Sequence, residues 1–92
     1  MKIDWDENKN RANMVKHGVS FEEAQTVFYD PLTKIAADPD HSDNEDRFVA
    51  VGHSSINRKL IVIHYYREKS QLIRIISARK LNRGERRQYE EL

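Results

Sequence analysis

The sequence contains no cysteine, only two prolines and three glycines, and no long apolar run among its 92 residues. Without cysteine, the chain has neither a disulfide framework nor a thiolate metal site. No segment approaches the ~20 apolar residues that a membrane-spanning helix needs, and no apolar signal segment follows Met1. We therefore expect a protein of the reducing cytoplasm that makes no contact with a membrane.

Common catalytic motifs are missing as well. The sequence has no glycine-rich phosphate loop, nucleophile elbow or HExxH zinc motif. Its four histidines are separated by 24, 12 and 11 residues, and these spacings match no zinc-ligand pattern. We therefore expect neither a bound metal ion nor a cofactor.

Charge is distributed unevenly, although the formal net charge is only +1. Residues 20–46 contain eight acids and one base, whereas residues 67–87 contain eight bases and two acids. Such an asymmetry indicates that the basic part of the chain binds a polyanion. The alternative is that the two blocks neutralise each other within the fold.

The order of local patterns predicts one small α+β domain over residues 1–92, with elements in the order β-α-α-β-β-β-β-α. Ser20 followed by Glu23 forms a capping box at a helix start, and Gly18 is the natural left-handed residue at the end of the helix before it. Short connections between the later strands predict an antiparallel sheet, covered by helices on one face. The predicted strands are residues 2–5, 32–37, 47–54, 59–67 and 72–79, and the predicted helices are 6–17, 20–30 and 82–91.

The last predicted strand carries two arginines within or beside an apolar run. Arg74 lies in the middle of the run and Arg79 ends it. A guanidinium in such a place needs an anionic partner or an open, wet face, and its geometry matches phosphate well. Both phosphate binding and a structural ion pair with an upstream acid remain open from these residues alone.

A compact polar group precedes the strand at 47–54. His41, Glu45 and Arg47 combine a side chain that titrates near neutral pH, a carboxylate and a fixed cation. They lie at the mouth of a strand, where loops usually present functional groups. The alternative is an acidic surface loop whose histidine has no function.

Tyrosines are the remaining candidates for contact with a ligand. Tyr65 and Tyr66 point to opposite faces of one strand, so only one belongs to the core and the other can stack on a base. Tyr89 follows Arg86 by three residues on the last helix, where it meets the sheet or stays exposed.

The chain resembles the BrnT-type toxins of bacterial type II toxin–antitoxin systems. The strings that carry the resemblance are Lys-His-Gly-Val-Ser-Phe-Glu-Glu-Ala at 16–24 and Arg-Ile-Ile-Ser-Ala-Arg at 74–79. The resemblance implies a RelE-like fold and a ribonuclease that arrests translation. It also implies a cognate antitoxin, commonly with a ribbon-helix-helix domain, which blocks the toxin and alone contacts the operator DNA.

Together, residues and resemblance predict metal-independent RNA cleavage, in which the 2′-hydroxyl attacks the adjacent phosphorus and a 5′-hydroxyl leaves. A binding module without catalysis, for nucleic acid or for an acidic protein, is the alternative. The predicted catalytic residues are His41, Glu45, Arg74, Arg79 and Tyr89, and the predicted RNA-binding residues are Arg47, Arg67, Lys80, Arg83 and Arg86.

Overall fold

The structure is a computed structural model that describes residues 1–41 and 46–91. Within these residues, five strands form one sheet in the order β1-β5-β4-β3-β2. The strands are β1 (Lys2–Trp5), β2 (Lys34–Ala37), β3 (Arg47–His53), β4 (Lys59–Arg67) and β5 (Leu72–Lys80); the helices are α1 (Glu7–His17), α2 (Phe21–Ala24) and α3 (Arg83–Glu91). No helix in the described part of the chain is long and apolar enough to cross a membrane.

The predicted α+β fold with this element order is confirmed, but the sheet is mixed rather than purely antiparallel. Strands β2 to β5 pair antiparallel with their sequence neighbours, as expected for short connections. Strand β1 instead pairs parallel with β5, and Asp4 lies opposite Arg74. A local pattern specifies which side chains face the core, but it does not specify the partner of a strand 70 residues away.

Helix α1 ends, and helix α2 begins, at the residues that the sequence predicts. Gly18 has φ 68° at the end of α1, and Ser20 Oγ accepts a hydrogen bond from the Glu23 N–H at the start of α2. The predicted helix over 20–30 is nevertheless only one α-helical turn, which continues as a 3₁₀ helix over Gln25–Tyr29. The Thr26 hydroxyl donates to the Glu23 carbonyl at 2.6 Å, a local competitor of the α-helical bond.

The core lies between the first two helices and one face of the sheet. Its fully buried side chains include Phe21, Leu60 and Val62, packed with Ile73 and Ile75 of the sheet. Helix α3 departs from the predicted arrangement because it contacts the opposite face, where Glu85 binds Arg79 and Tyr89 lies against His53. None of the described side chains of α3 is fully buried; Glu85 and Tyr89 are half-buried.

Buried Asn13 joins α1 to the last strand. Its amide nitrogen donates to the carbonyls of Val19 and Ala78, both at 2.8 Å, and its amide oxygen accepts from the Ala78 N–H at 3.1 Å. The Asn13 side chain therefore satisfies backbone groups of the α1–α2 connection and of β5, and it reaches Ala78 over 65 residues of sequence.

Replacing this side chain tests the connection. We expect Asn13→Ala to lower the free energy of unfolding by about 3 kcal/mol, because three buried backbone groups lose their partner. Urea denaturation measures the change. The control is Asn8→Ala on the exposed side of the same helix, which we expect to cost less than about 0.5 kcal/mol. Equal losses in the two variants would contradict the assignment.

Candidate active site

A line of polar side chains crosses four strands on the sheet face that α1 and α2 leave uncovered. Strand register places Asp4 beside Arg74, Arg74 beside Tyr65, and Tyr65 beside Arg47. Side chains of paired residues project from the same face of a sheet. We call this line, formed by Asp4, Arg74, Tyr65 and Arg47, the polar row.

Arg74 occupies an open position in the polar row. Its Nε donates to Asp4 Oδ1 at 3.0 Å, and the two side chains are 54% and 44% exposed. Exposed ion pairs contribute only about 0–1 kcal/mol, because water screens the charges. A phosphate can therefore take the place of Asp4 at little energetic cost.

Arg47 is held more firmly at the other end of the polar row. Its Nε donates to Asp38 Oδ2 at 2.9 Å, and the Asp38 side chain is only 5% exposed. Burial acts to raise the pKa of Asp38, but the hydrogen bonds from the Asp40 N–H and from Arg47 outweigh it, so this pKa lies below its usual value. Asp38 is consequently ionised at neutral pH.

The same carboxylate also contacts His41. The distance from His41 Nδ1 to Asp38 Oδ2 is 3.3 Å, and the imidazole is 47% exposed. Because Asp38 engages Nδ1, the Nε2 atom is the one that can exchange a proton with a substrate. The structure thus brings together His41 and Arg47, two of the three polar residues that the sequence grouped, through a carboxylate.

Glu45, the third member of that group, lies outside the described residues. Sequence reasoning assigned no role to Asp38, although it precedes His41 by three residues. The 3₁₀ turn over Pro39–His41 places residues three apart on one side. The spacing Asp-x-x-His was therefore the signal that could have found this pair.

The two adjacent tyrosines separate as expected for neighbours on a strand. Tyr66 packs against the core, whereas Tyr65 faces the polar row, with the Arg47 guanidinium 6.0 Å from its ring centroid. Arg67 shares that face two residues later, and its Nε lies 3.8 Å from an Asp46 carboxylate oxygen. Tyr65 therefore lies beside the cations of the polar row, and stacking of its ring on a base stays a prediction.

Arg79 lies elsewhere on the same face. It is in register with Ile61, whereas Arg74 is in register with Tyr65. These two partners are four residues apart on β4, so Arg79 and Arg74 are separated by roughly 13 Å along the strand direction. The Arg79 guanidinium donates to both carboxylate oxygens of Glu85, at 2.7 and 2.8 Å. Arg79 thus forms a structural ion pair, but its partner is Glu85, six residues downstream, and not the upstream acid that the sequence left open. A catalytic role of Arg79 stays a prediction.

Tyr89 and the remaining predicted RNA-binding residues lie around α3. The Tyr89 ring centroid is 6.1 Å from that of His53, and Lys59 Nζ lies 5.9 Å from the Tyr89 ring. Burial, followed by the negative charge of Asp30, raises the pKa of Tyr89. The predicted residues accordingly form two groups: His41, Arg47, Arg67 and Arg74 at the polar row, and Arg79, Lys80, Arg83, Arg86 and Tyr89 near α3.

Metal ligands are not assembled at either place. Among residues 1–41 and 46–91, no three histidine or acidic side chains are grouped so that they could hold a metal ion. The chemistry available at the polar row is that of an oriented imidazole, guanidinium groups and an aromatic ring.

Comparison with known proteins gives consistent results. Residues 5–85 match the family described as the ribonuclease toxin, BrnT, of type II toxin–antitoxin systems. The fold is similar to the 1.1 Å crystal structure of the Brucella abortus ribonuclease toxin BrnT, with a TM-score of 0.70 and 27% sequence identity over 90% of this chain and 99% of that chain. No curated protein matches the chain.

The bidentate Arg79–Glu85 pair makes stability depend on pH. The hydrogen bonds from Arg79 lower the pKa of Glu85 to about 2, from 4.5. Since the folded-state pKa is depressed, the stabilisation is present above the unfolded value and is lost as pH falls from about 4.5 toward about 2. We expect Glu85→Gln to lower the free energy of unfolding by about 1 kcal/mol at neutral pH.

Denaturation of the variant and the parent protein across this pH range measures the effect. Glutamine retains one oxygen for the Asn82 N–H and so keeps the helix cap, while the variant loses the charge and one of the two hydrogen bonds from Arg79. Glu68→Gln, in the turn between β4 and β5, is the matched control. A difference between Glu85→Gln and the parent that does not shrink at low pH would contradict the pairing.

Proposed function

The chain belongs to the BrnT family of ribonuclease toxins of type II toxin–antitoxin systems, and on that premise we propose that its polar row, together with the adjoining Asp38 and His41, cleaves RNA without a metal ion. The family implies an RNA substrate and a protein antitoxin as partners. The observation that supports the polar row as the site is the buried Asp38 carboxylate, which lies 3.3 Å from His41 Nδ1 and 2.9 Å from Arg47 Nε.

The proposed reaction needs a base for the 2′-hydroxyl and cations for the charge on phosphorus. His41 Nε2 takes the proton of the 2′-hydroxyl, while Asp38 orients the ring and stabilises the imidazolium that forms. Arg74 exchanges Asp4 for a phosphate oxygen, and Tyr65 stacks on a neighbouring base. The bond from phosphorus to the 5′-oxygen breaks as the new bond forms, and the departing oxygen takes a proton from water. The products are a 2′,3′-cyclic phosphate and a 5′-hydroxyl end.

Other parts of the proposal go beyond the geometry of the row. We propose that cleavage arrests translation, that it takes place in the cytoplasm, and that an antitoxin with a ribbon-helix-helix domain blocks the toxin and binds the operator. The relation to RelE-like nucleases and the acid–base role of Glu45 belong to the same set of predictions. Translation arrest, the antitoxin and the RelE relation follow from the resemblance. The cytoplasmic setting follows from the composition, and the role of Glu45 follows from its grouping with His41 and Arg47 in the sequence.

Incubation of the purified protein with single-stranded RNA in a chelator tests the reaction. We expect new 5′-hydroxyl ends and 2′,3′-cyclic phosphates, because the reaction uses the neighbouring 2′-hydroxyl and needs no metal-bound water. End-group analysis of the fragments is the measurement. Cleavage that requires a divalent ion, or binding that yields no new ends, would contradict the proposal; the second result would assign a non-catalytic module.

Substitutions in the polar row and at His41 test which residues take part in catalysis. We expect Arg74→Ala and His41→Ala each to lower kcat by about 10²–10³-fold, since each removes a group that acts on the transition state. Arg74→Ala should change stability by less than about 1 kcal/mol, because its ion pair is exposed.

Single-turnover cleavage and urea denaturation of the same preparations separate catalysis from folding. Arg11→Ala on exposed α1 is the matched control and should cleave at the parent rate. Parent-like cleavage by Arg74→Ala would remove Arg74 from the site. An equal loss in Arg11→Ala would show that overall charge, rather than the polar row, controls the rate.

A further inference from the structure

An opening in the surface lies at the end of β4 that is distant from the polar row. It measures about 350 Å³, within the range of ligand pockets. Six strand residues separate Lys59 at its edge from Tyr65 in the polar row, roughly 20 Å along the strand. We call it the α3 cleft; its polar lining includes His53, Arg58, Lys59, Lys80, Arg86 and Glu90.

The four cations of the α3 cleft differ in how strongly the protein binds them. Arg58 is committed to the fold, because its guanidinium donates to the Glu23 carboxylate and to the Gly18 carbonyl. Burial opposes the effect of the Glu23 hydrogen bond on Arg58, yet the pKa of Arg58 is still raised. Arg58 therefore forms part of the wall and is not available to a ligand.

The other three cations remain available. Lys59 is paired with Glu90, whose side chain is 61% exposed and readily released to water. Lys80 and Arg86 are exposed, and neither forms an ion pair with another described residue. A concave surface with two unpaired cations and a third in a weak pair favours an anionic ligand.

We propose that the α3 cleft holds a backbone phosphate of an RNA strand whose scissile bond lies in the polar row. The proposal rests on the ribonuclease function proposed above and extends its substrate to RNA of several nucleotides. Arg86 offers a planar fork and Lys80 a compact charge, two complementary ways to bind phosphate oxygens. Lys59 joins them when Glu90 turns to solvent.

Positive charge continues beyond the α3 cleft along the helix. Arg83, Arg86 and Arg87 line an adjacent opening of about 420 Å³, again with Glu90 as the acid. A ligand with negative charges at regular intervals can contact the cations of both openings, which a single small anion cannot do. This favours an RNA strand over an acidic protein segment as the occupant.

Binding of an RNA that cannot be cleaved tests the proposal directly. The probe is a fluorescent 2′-O-methyl RNA of about 12 nucleotides, which lacks the attacking hydroxyl. We expect Lys80→Gln/Arg86→Gln to lose affinity about tenfold and to reduce the slope of log K against log salt by about 0.7, the value for one lost phosphate contact. Fluorescence anisotropy over a salt series measures both.

Two further variants make the result specific. Lys9→Gln/Arg11→Gln removes the same two residue types from exposed positions of α1 and should bind as the parent does. Lys80→Arg/Arg86→Lys retains the charges and should preserve the salt slope. Parent-like affinity and slope in the glutamine variant of the cleft would overturn the proposal, as would a parent protein that does not bind the probe.

The test also separates this inference from the proposed reaction. If the parent protein forms no cyclic phosphate ends but the cleft variant still binds the probe more weakly, the ribonuclease mechanism fails while the phosphate site stands. If the cleft variant binds RNA normally but loses binding to polyglutamate, the cleft docks an acidic protein and the RNA proposal is wrong.

Discussion

One buried carboxylate, that of Asp38, sets the arrangement on which the candidate active site depends. It is ionised within the protein because backbone and guanidinium donors compensate the loss of water. Such a group imposes order on its neighbours, since an unpaired buried charge would cost several kcal/mol. His41 and Arg47 are therefore not independent surface residues, and each is oriented by the need to satisfy the same anion.

Exposure divides the basic residues of this small protein into two kinds. Arg58 and Arg79 form multiple hydrogen bonds with Glu23 and Glu85, and they stabilise the fold. Arg74 is paired only through an exposed contact that water already weakens. Although the total charge is nearly neutral, the basic residues of the surface differ in role. Some stabilise the fold through ion pairs, and others can exchange their partner for a phosphate.

The sequence predicted those features that depend on neighbouring residues. The cap at Ser20, the left-handed end at Gly18 and the strands from β3 to β5 all follow from patterns a few residues long. The parallel pairing of β1 and the position of α3 depend on contacts between distant segments, which no local period encodes. The pattern around Arg79 left a phosphate and an upstream acid open and did not single out Glu85, six residues downstream. The acidic block likewise did not reveal that Asp38 is buried.

The parallel pairing of the first strand with the last has a consequence for biosynthesis. Asp4 and Arg74 are 70 residues apart in sequence, so they meet only after β5 has been made. Contacts of such long range form late, because the intervening loop must be closed first. A nascent chain on the ribosome therefore carries an unfinished sheet edge until β5 emerges, and only then is the polar row complete.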